Sequence, residues 1–341
     1  MKNKLLVTTA LVGMVASGAA LAETKLSGNM VLGYKAMSFN ATNPAADDQG
    51  FGRETQINIS NSGDLNSGLK YSAGFSIEMD GGSVVGSDEN VHFDVISGNT
   101  RVSFGMDHAP NMSTSATPRV AEHADTTFGY DGSTALNSYD YNAGMGIDAA
   151  FQIAVIQKIA GGQVSFGFVP QMGDGGGDDQ DIGGQATTEV GNSAYQLIYS
   201  GNAGIDGLNL KAAYSKEDYD ATQQDGKVML YGVGYNFGKF AAGVTVKDIE
   251  ESVIGTETKS YEFGATVALS DNLSAGLLYI ETDGKDAGVA WSTEEKMTIG
   301  NIAYNLGAAT VSFSAGTLED RNGASTAKDI DVMSVRLGTK F

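Results

Sequence analysis

The stretch GKVMLYGVGYNFGKFAAGVTVKD, residues 226–248, decides the fold. Met229, Tyr231, Val233, Tyr235 and Phe237 fall on one face of an extended chain, with Gly232, Gly234 and Asn236 on the other. Past Gly238 the alternation resumes, with Phe240, Ala242, Val244 and Val246 opposite Lys239, Gly243, Thr245 and Lys247. A helix would repeat apolar residues every three to four positions, whereas a period of two belongs to a strand with one apolar face. Two such strands meeting at Gly238 predict a hairpin.

The pattern recurs along the chain. Tyr261, Phe263, Ala265, Val267 and Leu269 oppose Ser260, Glu262, Gly264 and Thr266. Leu69, Tyr71, Ala73, Phe75 and Ile77 oppose Lys70, Ser72, Gly74, Ser76 and Glu78. About sixteen such segments are predicted, among them 25–35, 53–61 and 137–157, each end uncertain by roughly 2–4 residues. Their connections alternate in length. Short ones fall at 97–98, 201–205, 238, 270 and 306–307. Long ones fall at 36–52, 108–136, 171–192, 216–225, 248–258, 282–293 and 318–328, with the brief 80–86 link as the exception. Tight turns at one rim and long loops at the other are the layout of a transmembrane antiparallel β-barrel. Sandwiches and propellers also alternate, but they need no such asymmetry, and no propeller-length repeat is visible. Gly, Ser, Asn, Lys and Glu on the polar face suit a water-filled lumen. The expected fold class is therefore all-β, with a barrel domain over 23–341.

Composition agrees. The 341 residues hold 46 glycines, 4 prolines and no cysteine, which excludes collagen-like chains, disulfide scaffolds and thiolate metal sites. A net charge of −20 argues against nucleic acid as a partner. Residues 1–22 are expected to be a secretory signal peptide: Lys2 and Lys4 form a basic start, an apolar run spans 5–16, and Ala20-Leu21-Ala22 is a cleavage site. That run is shorter than the roughly 20 residues of a spanning helix.

Most of the excess acid lies in the long loops. Solubility of an exposed surface accounts for it in the simplest way. Asp174, Asp178, Asp179 and Asp181 could also ligate divalent cations that bridge loops to anionic lipid headgroups or to each other, although GDGGGDDQD lacks the spacing of a calcium loop. No other cofactor is expected, and no metal centre. No G-x-S-x-G, H-E-x-x-H or P-loop is present, so no enzyme is expected. Of the three histidines, His92, His108 and His123, His92 shares parity with Asp94 and reads as a solvated wall residue.

The last strand, DIDVMSVRLGTKF, closes on Phe341, whose parity Met333, Val335 and Leu337 share. It resembles the signal read by the outer-membrane assembly machinery, apart from Thr339, where that signal usually has a larger apolar residue. KLSGNMVLGYK resembles the opening strand of Gram-negative porins, TRVSFGMDHAP the strand leading into their internal third loop, and NSYDYNAGMGIDAAFQI the strand after it. The whole chain is similar in layout to the general bacterial porin family. That resemblance implies a homotrimeric, sixteen-stranded diffusion channel in the outer membrane of a Gram-negative bacterium, with the third loop folded into the lumen.

On that resemblance, residues 108–136 form the constriction, with Glu122, Asp125, Asp131 and Arg119 in it and Asp107 at its entrance. Parity places Lys35, Lys70, Arg101, Lys211, Lys239, Lys247 and Arg336 on the lumen wall, and leaves the direction of Arg53 open. The acidic loops and constriction predict passive passage of small hydrophilic solutes and ions with a modest preference for cations. The alternatives are a substrate-specific channel, or a structural or adhesive barrel whose acidic loops bind a partner.

Overall fold

The computed structural model describes residues 23–39, 48–65, 68–78, 87–106, 108–110, 115–120, 151–172, 192–218, 225–250, 255–286, 288–320 and 329–341. The expected signal peptide lies outside the described residues. The strands begin with β1 (Glu23–Phe39), β2 (Asp48–Asp64), β3 (Lys70–Glu78), β4 (Ser87–Ser97), β5 (Thr100–Gly105) and β6 (Gln152–Ile159). They continue with β7 (Gly162–Met172), β8 (Asn192–Gly201), β9 (Leu208–Asp218), β10 (Gly226–Asn236), β11 (Phe240–Glu250) and β12 (Glu257–Ala268). The last are β13 (Leu273–Asp286), β14 (Val289–Ala290), β15 (Glu295–Asn305), β16 (Ala309–Glu319) and β17 (Ile330–Lys340).

Apart from the two-residue β14, which pairs only with β13, each strand pairs antiparallel with its neighbours, β13 with β15, and β1 pairs with both β2 and β17, so the sheet closes on itself. The 17-stranded sheet, less the two-residue β14, is a closed barrel of sixteen strands. Closure gives each of these sixteen strands two partners and leaves no edge, the condition for a sheet in hydrocarbon. Among the described residues there is no helix.

The two faces differ as the period-two pattern requires. Tyr231, Phe263 and Leu277 are 52%, 49% and 55% exposed, as are similar large apolar residues on nearly every strand. So broad an apolar girdle is a liability in water and an advantage in lipid. The residues of opposite parity, such as Thr245, Glu262 and Ser314, are at most 1% exposed and point into the barrel.

Three expectations need correction. β1 and β2 run to 23–39 and 48–64, well past the segments 25–35 and 53–61, because ladder pairing continues after the apolar alternation has ended. β14 was not expected, since two residues are too few to show a period. The inner face is also not polar throughout. Val228, Leu230 and Ile249 join Val169, Ala194, Ile198 and Ala213 in one buried inward cluster. Met37, Leu278, Ile280, Met297, Ile299, Leu318, Ile330 and Val332 form another. Both lie towards the long-loop ends of the strands, where inward side chains of adjacent strands pack against one another. Of the predicted segment 137–157, the structure describes residues 151–157, and β6 begins at Gln152.

Candidate functional site

The inner wall between β9 and β15 carries a shallow track without side chains. Gly234 pairs with Gly243 across the β10–β11 ladder, and Gly243 with Gly264 across β11–β12. Residues 115–120, from the stretch after β5, lie in that track. A Cβ on Gly264 would collide with Thr117 Cγ2, and one on Gly234 with the Ala116 carbonyl oxygen. Gly243 and Gly276 leave similar room for Pro118 and Val120. The glycines therefore let a loop backbone approach the sheet closely.

Polar groups hold the segment there. Ala116 N donates to Thr245 Oγ1 at 3.2 Å, and the hydroxyls of Ser115 and Thr117 lie 2.7 and 2.9 Å from the same oxygen. Asn209 Nδ2 donates to the Ala116 carbonyl at 3.2 Å. Arg119 makes the strongest contact: its Nη2 donates to both carboxylate oxygens of Glu262 at 2.8 Å, and Nε adds a bond of 3.2 Å to Oε1. The pair is buried, with side chains 11% and 1% exposed. Further back, Gln196 Nε2 donates to the Pro110 carbonyl at 3.3 Å, and His108 reaches Asp94 on β4. Residues 108–110 thus lie against the inner wall beside β4 and β8, and residues 115–120 against it from β9 to the β13–β15 region.

Arg119 is accordingly bound to the wall rather than held out in a lumen. Asp107, Glu122, Asp125 and Asp131 lie outside the described residues. So do the loop acids Asp174, Asp178, Asp179 and Asp181. Lys35, Arg101, Lys211, Lys247 and Arg336 stand on the inward parity of their strands, with Lys211 and Lys247 buried. Arg336 lies across Gly33, its ladder partner on β1. Lys70 has the inward parity of Ser76 but is exposed beside a turn, and Lys239 is exposed in one. Arg53 pairs with Leu32 on the outward parity. Among the described residues, the acids Glu54, Glu78, Asp94, Glu217, Glu262 and Glu295 also stand on the inward parity of their strands.

Sequence reasoning did not single out Glu262 or Asp94 as site residues. A signal for Glu262 was present in the glycines at 234, 243 and 264, but it becomes visible only once strand register is known. Phe341 sits at the barrel seam. Its backbone exchanges two hydrogen bonds with Gly28 of β1, at 2.8 and 3.0 Å. Its ring covers Gly28, where a Cβ would come within 2.7 Å of Cζ. Met333, Val335 and Leu337 share that outer face and are exposed.

The family model of Gram-negative porins matches residues 7–324. No curated protein matches the sequence. Among solved structures, the anion-selective porin from Comamonas acidovorans superposes with a TM-score of 0.71 at 16% identity, covering 94% of this chain and 100% of its own. OmpT, an outer-membrane protein of Vibrio cholerae in trimer form, gives 0.63 at 12% identity over 94% and 99% of the two chains. A triple mutant of the Rhodopseudomonas blastica porin gives 0.61 at 16% identity over 94% and 100%.

Proposed function

Given that the chain belongs to the Gram-negative porin family and so forms a diffusion channel in the outer membrane, we propose that it passes small hydrophilic solutes and ions through a constriction built from residues 108–136, with a modest preference for cations. The observation that carries this reading is the seating of residues 115–120 along the glycine track of the inner wall. A barrel of this size is too wide for side chains to fill, so a chain segment crossing the inside is what narrows it. Loops of this length in compact folds are usually functional or disordered.

Arg119 is the only lysine or arginine between 108 and 136. Glu262 neutralises it, so the net charge of the stretch rests on Glu122, Asp125 and Asp131, with Asp107 adjoining. Acidic rings favour cations. The acidic loops add to the effect at low salt, and are screened once the Debye length falls to about 10 Å near 0.1 M. The Comamonas porin is described as anion-selective, and its likeness at this identity extends to the fold alone. In a salt gradient across a planar bilayer, the reversal potential should take the sign of cation preference. Glu122→Gln combined with Asp125→Asn should move it towards anions. A wild type that already prefers anions would mean that the wall bases dominate.

We also propose a homotrimer, which the trimer form of the Vibrio relative supports. Lipopolysaccharide around the acidic loops, with bridging divalent cations, and the outer-membrane assembly machinery acting on the last strand are the expected partners.

A further inference from the structure

A cluster joins β4 and β5 to His108, the first residue of the stretch 108–136. The β3–β4 ladder pairs Gly74 with His92 and then jumps to Ser76 with Glu89, so β4 carries an extra residue there. Within this bulge Asn90 takes φ 52°, a left-handed conformation that asparagine tolerates better than most residues. The bulge turns the Asn90 carbonyl back to accept a hydrogen bond from His92 Nδ1 at 2.8 Å. A carbonyl can only accept, so Nδ1 carries the proton and Nε2 keeps its lone pair. Opposite, a Cβ on Gly74 would stand 3.0 Å from His92 Cε1, so the glycine makes room for the ring. His108, two residues beyond Met106, stacks on His92 with ring centroids 3.5 Å apart and planes 7° from parallel. His108 Nε2 lies 3.0 Å from Asp94 Oδ2. Asp94 is 2% exposed, and its other oxygen, Oδ1, is buried without a hydrogen-bond partner.

We propose that His92, Asp94 and His108 form a binding site for a divalent transition-metal ion on the inner wall of the barrel. One ligand atom from each of the three lies within 4.8 Å of the others. Bonds of about 2.0–2.1 Å in a tetrahedral site put ligand atoms roughly 3.3 Å apart, so the set closes when the two imidazole rings turn out of their stack and aim their lone pairs at one point. Two imidazoles and a carboxylate suit Zn²⁺, Cu²⁺ or Ni²⁺ rather than Ca²⁺ or Mg²⁺. The backbone carbonyl on His92 Nδ1 is the outer-shell partner that fixes a metal-binding imidazole. A plain ion pair would need neither the bulge nor the second ring.

Arg101 and Ser103 are the other groups that face Asp94. Ser103 is its ladder partner. Arg101 Nη1 lies 3.3 Å from both Asp94 Oδ2 and His108 Nε2, supplying the countercharge when no metal is bound. A metal ion takes over that role, so Arg101 competes with it. The side chains of His108 and Arg101 are 22% and 29% exposed, which leaves an entry path and a water position on the metal.

The test is titration of the folded, detergent-solubilised, EDTA-stripped protein with Zn²⁺ by calorimetry, in excess Mg²⁺ to occupy acidic loops. One ion should bind per chain. His92→Ala, His108→Ala and Asp94→Asn should each weaken binding about tenfold or more, and Arg101→Gln should tighten it severalfold. Electron paramagnetic resonance of Cu²⁺ bound to the wild type should show coupling to two imidazole nitrogens, a readout that does not depend on any variant folding. Absence of Zn²⁺ binding above the Mg²⁺ background would overturn the site. So would undiminished binding in the double histidine variant, or weaker binding in Arg101→Gln. None of these readouts involves current, so failure of the site and failure of the channel reading are separable.

Discussion

Glu262→Ala should loosen the segment over 115–120 and destabilise the folded barrel by several kcal/mol. The substitution removes both oxygens that receive Arg119, and with them the acceptor of the Ser115 hydroxyl at 3.1 Å. Arg119, largely buried, then loses the carboxylate that accepts three of its hydrogen bonds. Removing one partner of a buried ion pair typically costs about 3–5 kcal/mol. Heat unfolding in detergent should occur at lower temperature, and single-channel current should become noisier as the segment leaves its track. Much of the cost is that of a buried guanidinium deprived of the Glu262 carboxylate. Pairing Glu262→Ala with Arg119→Met should therefore recover much of the stability while leaving the current noisy. If the single variant matches the wild type in both measurements, the pair does not clamp the segment.

Removing Phe341 should have the largest effect on assembly. The residue supplies two backbone bonds to β1 at the seam where the barrel closes, and its ring shields Gly28 on the lipid side. An aromatic lying over a cross-strand glycine is a recurrent device for covering bare sheet. Without it the outer row of Met333, Val335 and Leu337 loses its terminal member. Protein in the outer-membrane fraction should fall severalfold, with the remainder in the periplasm, whereas Phe341→Tyr should keep most of it. Gly28→Leu, which crowds the ring from the other side, should act in the same direction. Undiminished insertion of the shortened chain would show that neither the closure bonds nor the ring is required.

What the sequence made legible follows from what alternation records. Residues 229–237 and 239–247 show one face apolar and one polar, and the β10–β11 hairpin lies there. Loop lengths add which rim is which. In VML, residues 228–230, alternation fails because Val228 and Leu230 are buried inward while Met229 faces outward. A strand apolar on both faces reads as a continuous run. Parity gives the side of Glu262 but not its partner, because Arg119 is 143 residues away in the chain. The same holds for His92 and His108. Each alone reads as a solvated polar residue, and only the bulge at Asn90 and the turn after β5 stack one on the other. The glycines of the inner wall suggested open water, whereas Gly234, Gly243 and Gly264 seat a loop.

An open lumen around that loop should reveal itself in single-channel recording in planar bilayers. Folded protein should produce discrete, long-lived current steps whose size rises in near proportion to the salt concentration of the bath. Insertion without current steps would identify a closed barrel with a structural or adhesive role, and would contradict the account.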